Sequence, residues 1–273
     1  QYIDKEPLSP VRIKLEMLLV QGNETNRQRK EAMEHMVSAS KLCQKDADWR
    51  VQNKEIAEPE CDFDFAKLNI DMAKKWWELW QKNEASSSAQ EIAEYTKEAF
   101  RIHLDREDPA HPDSKSRYAF AELLFQLGEF RKASEQYSMA GSTSQDTQIA
   151  HDSTYSSIVA FDKAMAQKKE KTDEDESLRL SKVYLEKFPT GEHAVDVKFK
   201  IGFIAYEGEH FEEAEKWLRP LADSSPNLEI KKKSEDLILD MMNTKKDFKG
   251  LQAFSEQIGK NTQGTNRKDK LLK

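Results

Sequence analysis

Two windows of the 273-residue chain share one spacing of small and large side chains. Residues 117–140 read RYAFAELLFQLGEFRKASEQYSMA, and residues 198–221 read KFKIGFIAYEGEHFEEAEKWLRPL. In the first window Ala121 is followed by Phe130, Ala133, Tyr137 and Ala140. In the second, Gly202 is followed at the same offsets by Phe211, Ala214, Leu218 and Leu221. Close packing explains the pattern: a small residue in one helix lets the next approach, and an aromatic closes the turn between them. A second small residue then sits where the two helices cross. Amphipathicity alone does not produce five matched offsets twice.

Elsewhere apolar residues recur at three-to-four spacing, and no sustained alternation marks a strand. The periodicity predicts about twelve helices pairing as six hairpins, an all-α chain. Their expected spans are 9–21, 25–46, 63–83, 89–105, 115–127, 130–140, 147–167, 178–188, 194–206, 211–224, 228–244 and 248–258. Gly22-Asn23 is expected to end the first helix, whose inward face is read as Val11, Leu15, Leu18 and Leu19. Residues 58–62 read as a loop, and the charged run 168–176 as a solvated one. Trp76 and Trp80 share a helix face. Trp77 lies about 100° round from Trp76, so it either packs on a neighbouring helix or joins an exposed patch.

The window at 117–140 resembles the tetratricopeptide repeat, a helix-turn-helix unit of about 34 residues. Pro226 stands where that family's closing proline would follow Ala214. The resemblance implies an α-solenoid of about six hairpins forming a right-handed superhelix. Residues 1–110 would be degenerate N-terminal hairpins, and 111–258 repeat-like units at 115–140, 147–190, 194–226 and 228–258. Residues 259–273 would form a flexible basic tail. In such arrays the first helix of each pair lines a concave groove that takes a partner peptide or helix. The groove-facing positions here would be Lys115, Tyr118, Glu122 and Phe125, then Asp196, Phe199, Phe203 and Tyr206. Members that clamp an acidic C-terminus use Lys, Arg and Asn in the groove; Tyr118, Ala119 and Glu122 stand there instead, which argues against chaperone tails. The stretch 184–227 is similar in style to repeat proteins of the bacterial cell envelope, implying a periplasmic scaffold. The rival expectations are a cytoplasmic adaptor for a signalling protein or small GTPase, and the accessory module of a larger enzyme.

Composition narrows the function classes. Charged residues make up 34% and hydrophobic ones only 37%, as expected for an array of exposed amphipathic helices. A net charge of −7 argues against broad nucleic-acid binding. No apolar run approaches the roughly 18 residues that read as a membrane span. No secretory leader is visible, and the start at Gln1 without methionine reads as a processed or excised piece. The sequence holds no Gly-rich phosphate loop, no G-x-S-x-G, no H-E-x-x-H and no cysteine cluster, so neither enzymatic activity nor a cofactor is expected. His103 and His111 flank a loop bearing Asp105, Glu107, Asp108 and Asp113, which reads as solvated acid rather than a metal site. Cys43 and Cys61 fit no zinc or redox spacing, leaving two unlinked thiols or one disulfide formed in an oxidising compartment.

Overall fold

The computed structural model describes residues 6–82 and 87–261. Every regular element among them is helical. They are α1 (Arg12–Thr25), α2 (Arg29–Leu42), α3 (Asp48–Gln52), α4 (Lys54–Ala57), a π-helical segment (Glu58–Phe65), α5 (Ala66–Lys82) and α6 (Ala89–Asp105). Then come α7 (Ser114–Gln126), α8 (Phe130–Thr143), α9 (Thr147–Gln167), α10 (Asp173–Lys187), α11 (Ala194–Glu207), α12 (Phe211–Ser224), α13 (Leu228–Thr244) and α14 (Phe248–Asn261). From α1 to α8, and again from α10 to α14, consecutive helices pack as neighbours, the all-α arrangement of a helical-repeat solenoid. The chain divides into two compact units, Gln1–Ser153 and Thr154–Lys273. The expected tail from 259 lies, beyond Asn261, outside the described residues. No helix among the described residues is long and apolar enough to cross a membrane.

One turn recurs four times. α1, α7, α11 and α13 each end in a left-handed residue two positions on, at Arg27 (φ 61°), Gly128 (φ 76°), Glu209 (φ 57°) and Lys246 (φ 58°). Each turn closes with the same pair of backbone bonds. At Glu209 its N–H donates to Tyr206 O at 2.9 Å and the His210 N–H to Ala205 O at 2.8 Å. This is the Schellman arrangement, which satisfies carbonyls orphaned at the helix end. The second helix of three of these hairpins then opens on an aromatic, Phe130, Phe211 or Phe248. Only one of the four turns uses glycine. A side chain in the left-handed region costs about 1–2 kcal/mol, so Glu209→Gly should raise stability by up to about 1 kcal/mol, read as a higher urea midpoint at unchanged slope.

The small residues of the repeat sit at helix crossings, as their spacing demands. Ala121, Ala133, Ala140 and Ala214 are fully buried. A Cβ added to Gly202 would lie 2.7 Å from both Cγ and Cδ2 of Leu218 and 3.2 Å from Trp217 Cβ.

Four sequence expectations are corrected. α1 runs through Gly22, which faces open space where a helix tolerates glycine. Its inward face is also not the expected one. Ile13, Glu16, Val20 and Glu24 are buried, while Val11, Leu18 and Leu19 are exposed, Leu18 by 61%. The two glutamates are drawn inward by partners distant in sequence. Glu16 accepts from Ser38 Oγ at 2.6 Å and pairs with His35 Nδ1 at 2.7 Å, and Glu24 accepts the Trp76 indole N–H at 2.8 Å. Residues 58–62 are π-helical and run on directly from α4, with Pro59 in the first turn of the π-helical segment. Asp173–Glu176 form the first turn of α10 instead of continuing the charged loop; four carboxylates there oppose the positive helix end, and buried Asp173 accepts from the Glu170 N–H at 2.7 Å.

Candidate partner-binding face

Within the second unit, α11 carries Phe199, Phe203 and Tyr206 at spacings of four and three, which places them on one face. Their rings form a row with centroids 6.3 Å apart from Phe199 to Phe203 and 6.4 Å from Phe203 to Tyr206. Phe211 of α12 continues it, 6.3 Å from Tyr206. Phe199, Tyr206 and Phe211 are partly buried against a core that includes Ala205, Ala214, Leu218 and Ile238. The Tyr206 hydroxyl donates to Asp240 Oδ2 at 2.5 Å, which ties α11 to α13 and raises the phenol above its ordinary value. Lys245 Nζ lies 5.7 Å from the Phe211 centroid, within cation–π range. The row is thus anchored from below and at its end. Phe203 in its middle is 41% exposed. A fixed aromatic row with one open ring offers apolar contact at small ordering cost to a binding segment.

The corresponding positions of the first unit are arranged differently. Tyr118, Glu122 and Phe125 of α7 stand at the offsets of Phe199, Phe203 and Tyr206. Tyr118 packs edge-on to Tyr137 at 5.6 Å, and Phe125 meets Phe130 at 5.1 Å and Tyr137 at 6.4 Å. The Tyr137 hydroxyl donates to Glu122 Oε1. Burial, with the Glu122 charge added, pushes the Tyr118 phenol up to about 12. Leu218 stands where the first hairpin has Tyr137, and Phe203 where it has Glu122. Without the partner ring and the carboxylate that tie the α7 cluster to α8, the α11 ring is left open. Lys115 and Asp196, the other groove-facing candidates, are exposed.

Elsewhere in the first unit the polar chemistry is structural. Cys43 and Cys61 are joined, their Cα atoms 5.4 Å apart and both side chains buried. Arg106, at the end of α6, donates to Cys43 O at 2.9 Å and Cys61 O at 3.1 Å. Arg50 donates to Cys43 O at 3.1 Å and grips Asp62 with two bonds of 2.9 and 2.6 Å. Spacing gave no signal for this clasp, since Arg106 lies 44 residues from Asp62. Trp77 is partly buried, its ring 6.2 Å from Phe100, and so packs on a neighbouring helix. His103 pairs with Asp113 at 2.9 Å and His111 with Asp108 at 2.8 Å, and no group of three ligating side chains assembles among the described residues.

The clasp has a testable acid dependence. Hydrogen bonds from Arg50 hold the Asp62 carboxyl below its ordinary value, against the opposing effect of burial, with the Arg50 and Arg106 charges helping. A carboxyl depressed in the folded state stabilises above its unfolded value, about 3.9, and that contribution is lost as pH falls through the folded value. Asp62→Asn should therefore lower the urea midpoint at neutral pH. The variant and wild-type curves should converge as pH falls below the folded value of the Asp62 carboxyl.

No protein-family model matches the chain, and no match was found among curated proteins.

Proposed function

We propose that the chain is a non-catalytic scaffold of tetratricopeptide-like hairpins that holds an apolar peptide or helix of a protein partner against Phe199, Phe203 and Tyr206. The observation that carries this reading is the half-open aromatic row on α11, set against its closed counterpart on α7. Aromatic side chains held by a packed base and open at one ring are the type of group that dominates protein interfaces. The four recurring turns and the buried small residues at the crossings support the tetratricopeptide-like assignment.

The Cys43–Cys61 bond supports an oxidising compartment, and with it a place in a bacterial envelope complex rather than a cytoplasmic adaptor. The test is capture from native lysate by the immobilised chain, with partners identified by mass spectrometry. Phe203→Ala should reduce the captured partner at least about tenfold, the loss expected of a hot-spot aromatic. Leu228→Ala, an exposed residue 79% open elsewhere in the same unit, should leave capture unchanged. Equal capture by Phe203→Ala and wild type would remove α11 as the binding face.

A further inference from the structure

In the first unit the bonds of the disulfide clasp leave two buried atoms over. A cavity of about 770 Å³ opens beside the clasp, between the start of α5, the end of α6 and the α6–α7 connection. That volume is within the range of ligand pockets, roughly 300–1,000 Å³. Asn69 and Arg106 both line it, and Asn69 Oδ1 and Arg106 Nε are buried without a hydrogen-bond partner. Asn69 is only 1% exposed. Its Nδ2 donates to Met36 Sδ at 3.0 Å, which fixes the amide and leaves Oδ1 as the unmet atom. Arg106 is held as firmly. Its two terminal nitrogens donate to Cys43 O and Cys61 O, and its guanidinium lies 5.5 Å from the Phe65 centroid. Buried polar atoms of native proteins are seldom left unmatched, and bulk solvent does not reach either of these. The charges of the wall, by contrast, are mostly engaged. Asp62, Asp105, Glu107, Asp108 and Asp113 each pair with an arginine or histidine. The exposed Lys45 and Asp46 are opposite in sign. The site therefore lacks one donor and one acceptor rather than a charge.

We propose that this cavity binds a carboxamide, the peptide group or side-chain amide of a polypeptide segment. A carboxamide is uncharged and carries both an N–H and a C=O. The N–H answers Asn69 Oδ1, and the C=O answers the Arg106 Nε–H. A carboxylate would meet Arg106 but bring Asn69 no donor. An ammonium would meet Asn69 but bring Arg106 no acceptor. The cavity uses no residue of α11, so it stands or falls separately from the Phe199–Phe203–Tyr206 face.

The Arg106 Nε–H reports on the site directly. Its resonance in the full-length chain, labelled with ¹⁵N-arginine and assigned by its loss in Arg106→Lys, is followed during two titrations. The probes are acetyl-Ala-Ala-Ala-methylamide and acetyl-Ala-Gln-Ala-methylamide, and a saturable shift is expected. Equal affinities assign the ligand to the backbone peptide group; tighter binding of the glutamine peptide assigns it to the side-chain amide. The same peptides methylated at every amide nitrogen keep their carbonyls and lose their donors. They should bind at least about fivefold more weakly, the lower end for leaving a buried polar group unmatched. Asn69→Leu, which keeps the branched shape, should weaken the unmethylated peptides by a similar factor at an unchanged urea midpoint. The methylated peptides act on the wild-type chain, so the test holds even where that variant does not fold. Absence of a saturable shift with both peptides, or equal binding of the methylated ones, would overturn the proposal. So would equal binding of maltotriose, which offers hydroxyls and no amide, or unchanged affinity in folded Asn69→Leu.

Discussion

Gly202→Val should unfold the α11–α12 hairpin at denaturant concentrations where the wild-type chain remains intact. The added Cβ has no free space, since two atoms of the Leu218 side chain would stand 2.7 Å from it and Trp217 Cβ 3.2 Å. Leu218 cannot swing aside cheaply, because it is fully buried among Ala205, Ala214 and Ile238. Overpacking of this kind costs about 1–3 kcal/mol, and valine adds two methyl groups to the first clash. Gly202→Ala should fall between the valine variant and wild type. The opposite change at the partner position, Leu218→Ala, should partly rescue Gly202→Val, because each substitution supplies what the other lacks. Urea unfolding of the single and double variants measures that coupling directly.

The second large effect belongs to the first unit. Replacing Cys43 and Cys61 together by alanine should lower its stability by about 3 kcal/mol, the loop-closure value for a bridge of this span. The bridged residues are 18 apart in sequence. Their bond fixes the end of α2 to the π-helical segment, and Arg50 and Arg106 grip the backbone of the same junction. Hydrogen exchange should therefore speed up first in residues 43–65 of the variant, while α13 and α14 keep wild-type rates. Equal acceleration in both units would show that the bridge is not a local staple.

The helices and their pairing are legible in the sequence because both rest on local spacing. Gly202 and Ala214 announce a close crossing, and Phe130, Phe211 and Phe248 announce the start of a second helix. The left-handed turns at Arg27, Glu209 and Lys246 are not announced, since only Gly128 among the four carries the residue that favours them. The inward face of α1 is misread for a different reason. Burial of Glu16 and Glu24 depends on Ser38, His35 and Trp76, which are brought up by the fold and not by periodicity. The aromatic face lies between these cases. Spacing places Phe199, Phe203 and Tyr206 together, and equally Tyr118 and Phe125. Which set stays open depends on what stands across the hairpin, Leu218 in one case and Tyr137 in the other.

Hydrogen–deuterium exchange of the chain alone and in complex with the captured partner tests whether the α11 face holds that partner, as proposed. Slower exchange should be concentrated in residues 199–206 and in α13 around Asp240, whose carboxylate anchors Tyr206. Protection confined to α7 and α8, with α11 exchanging as in the free chain, would contradict it.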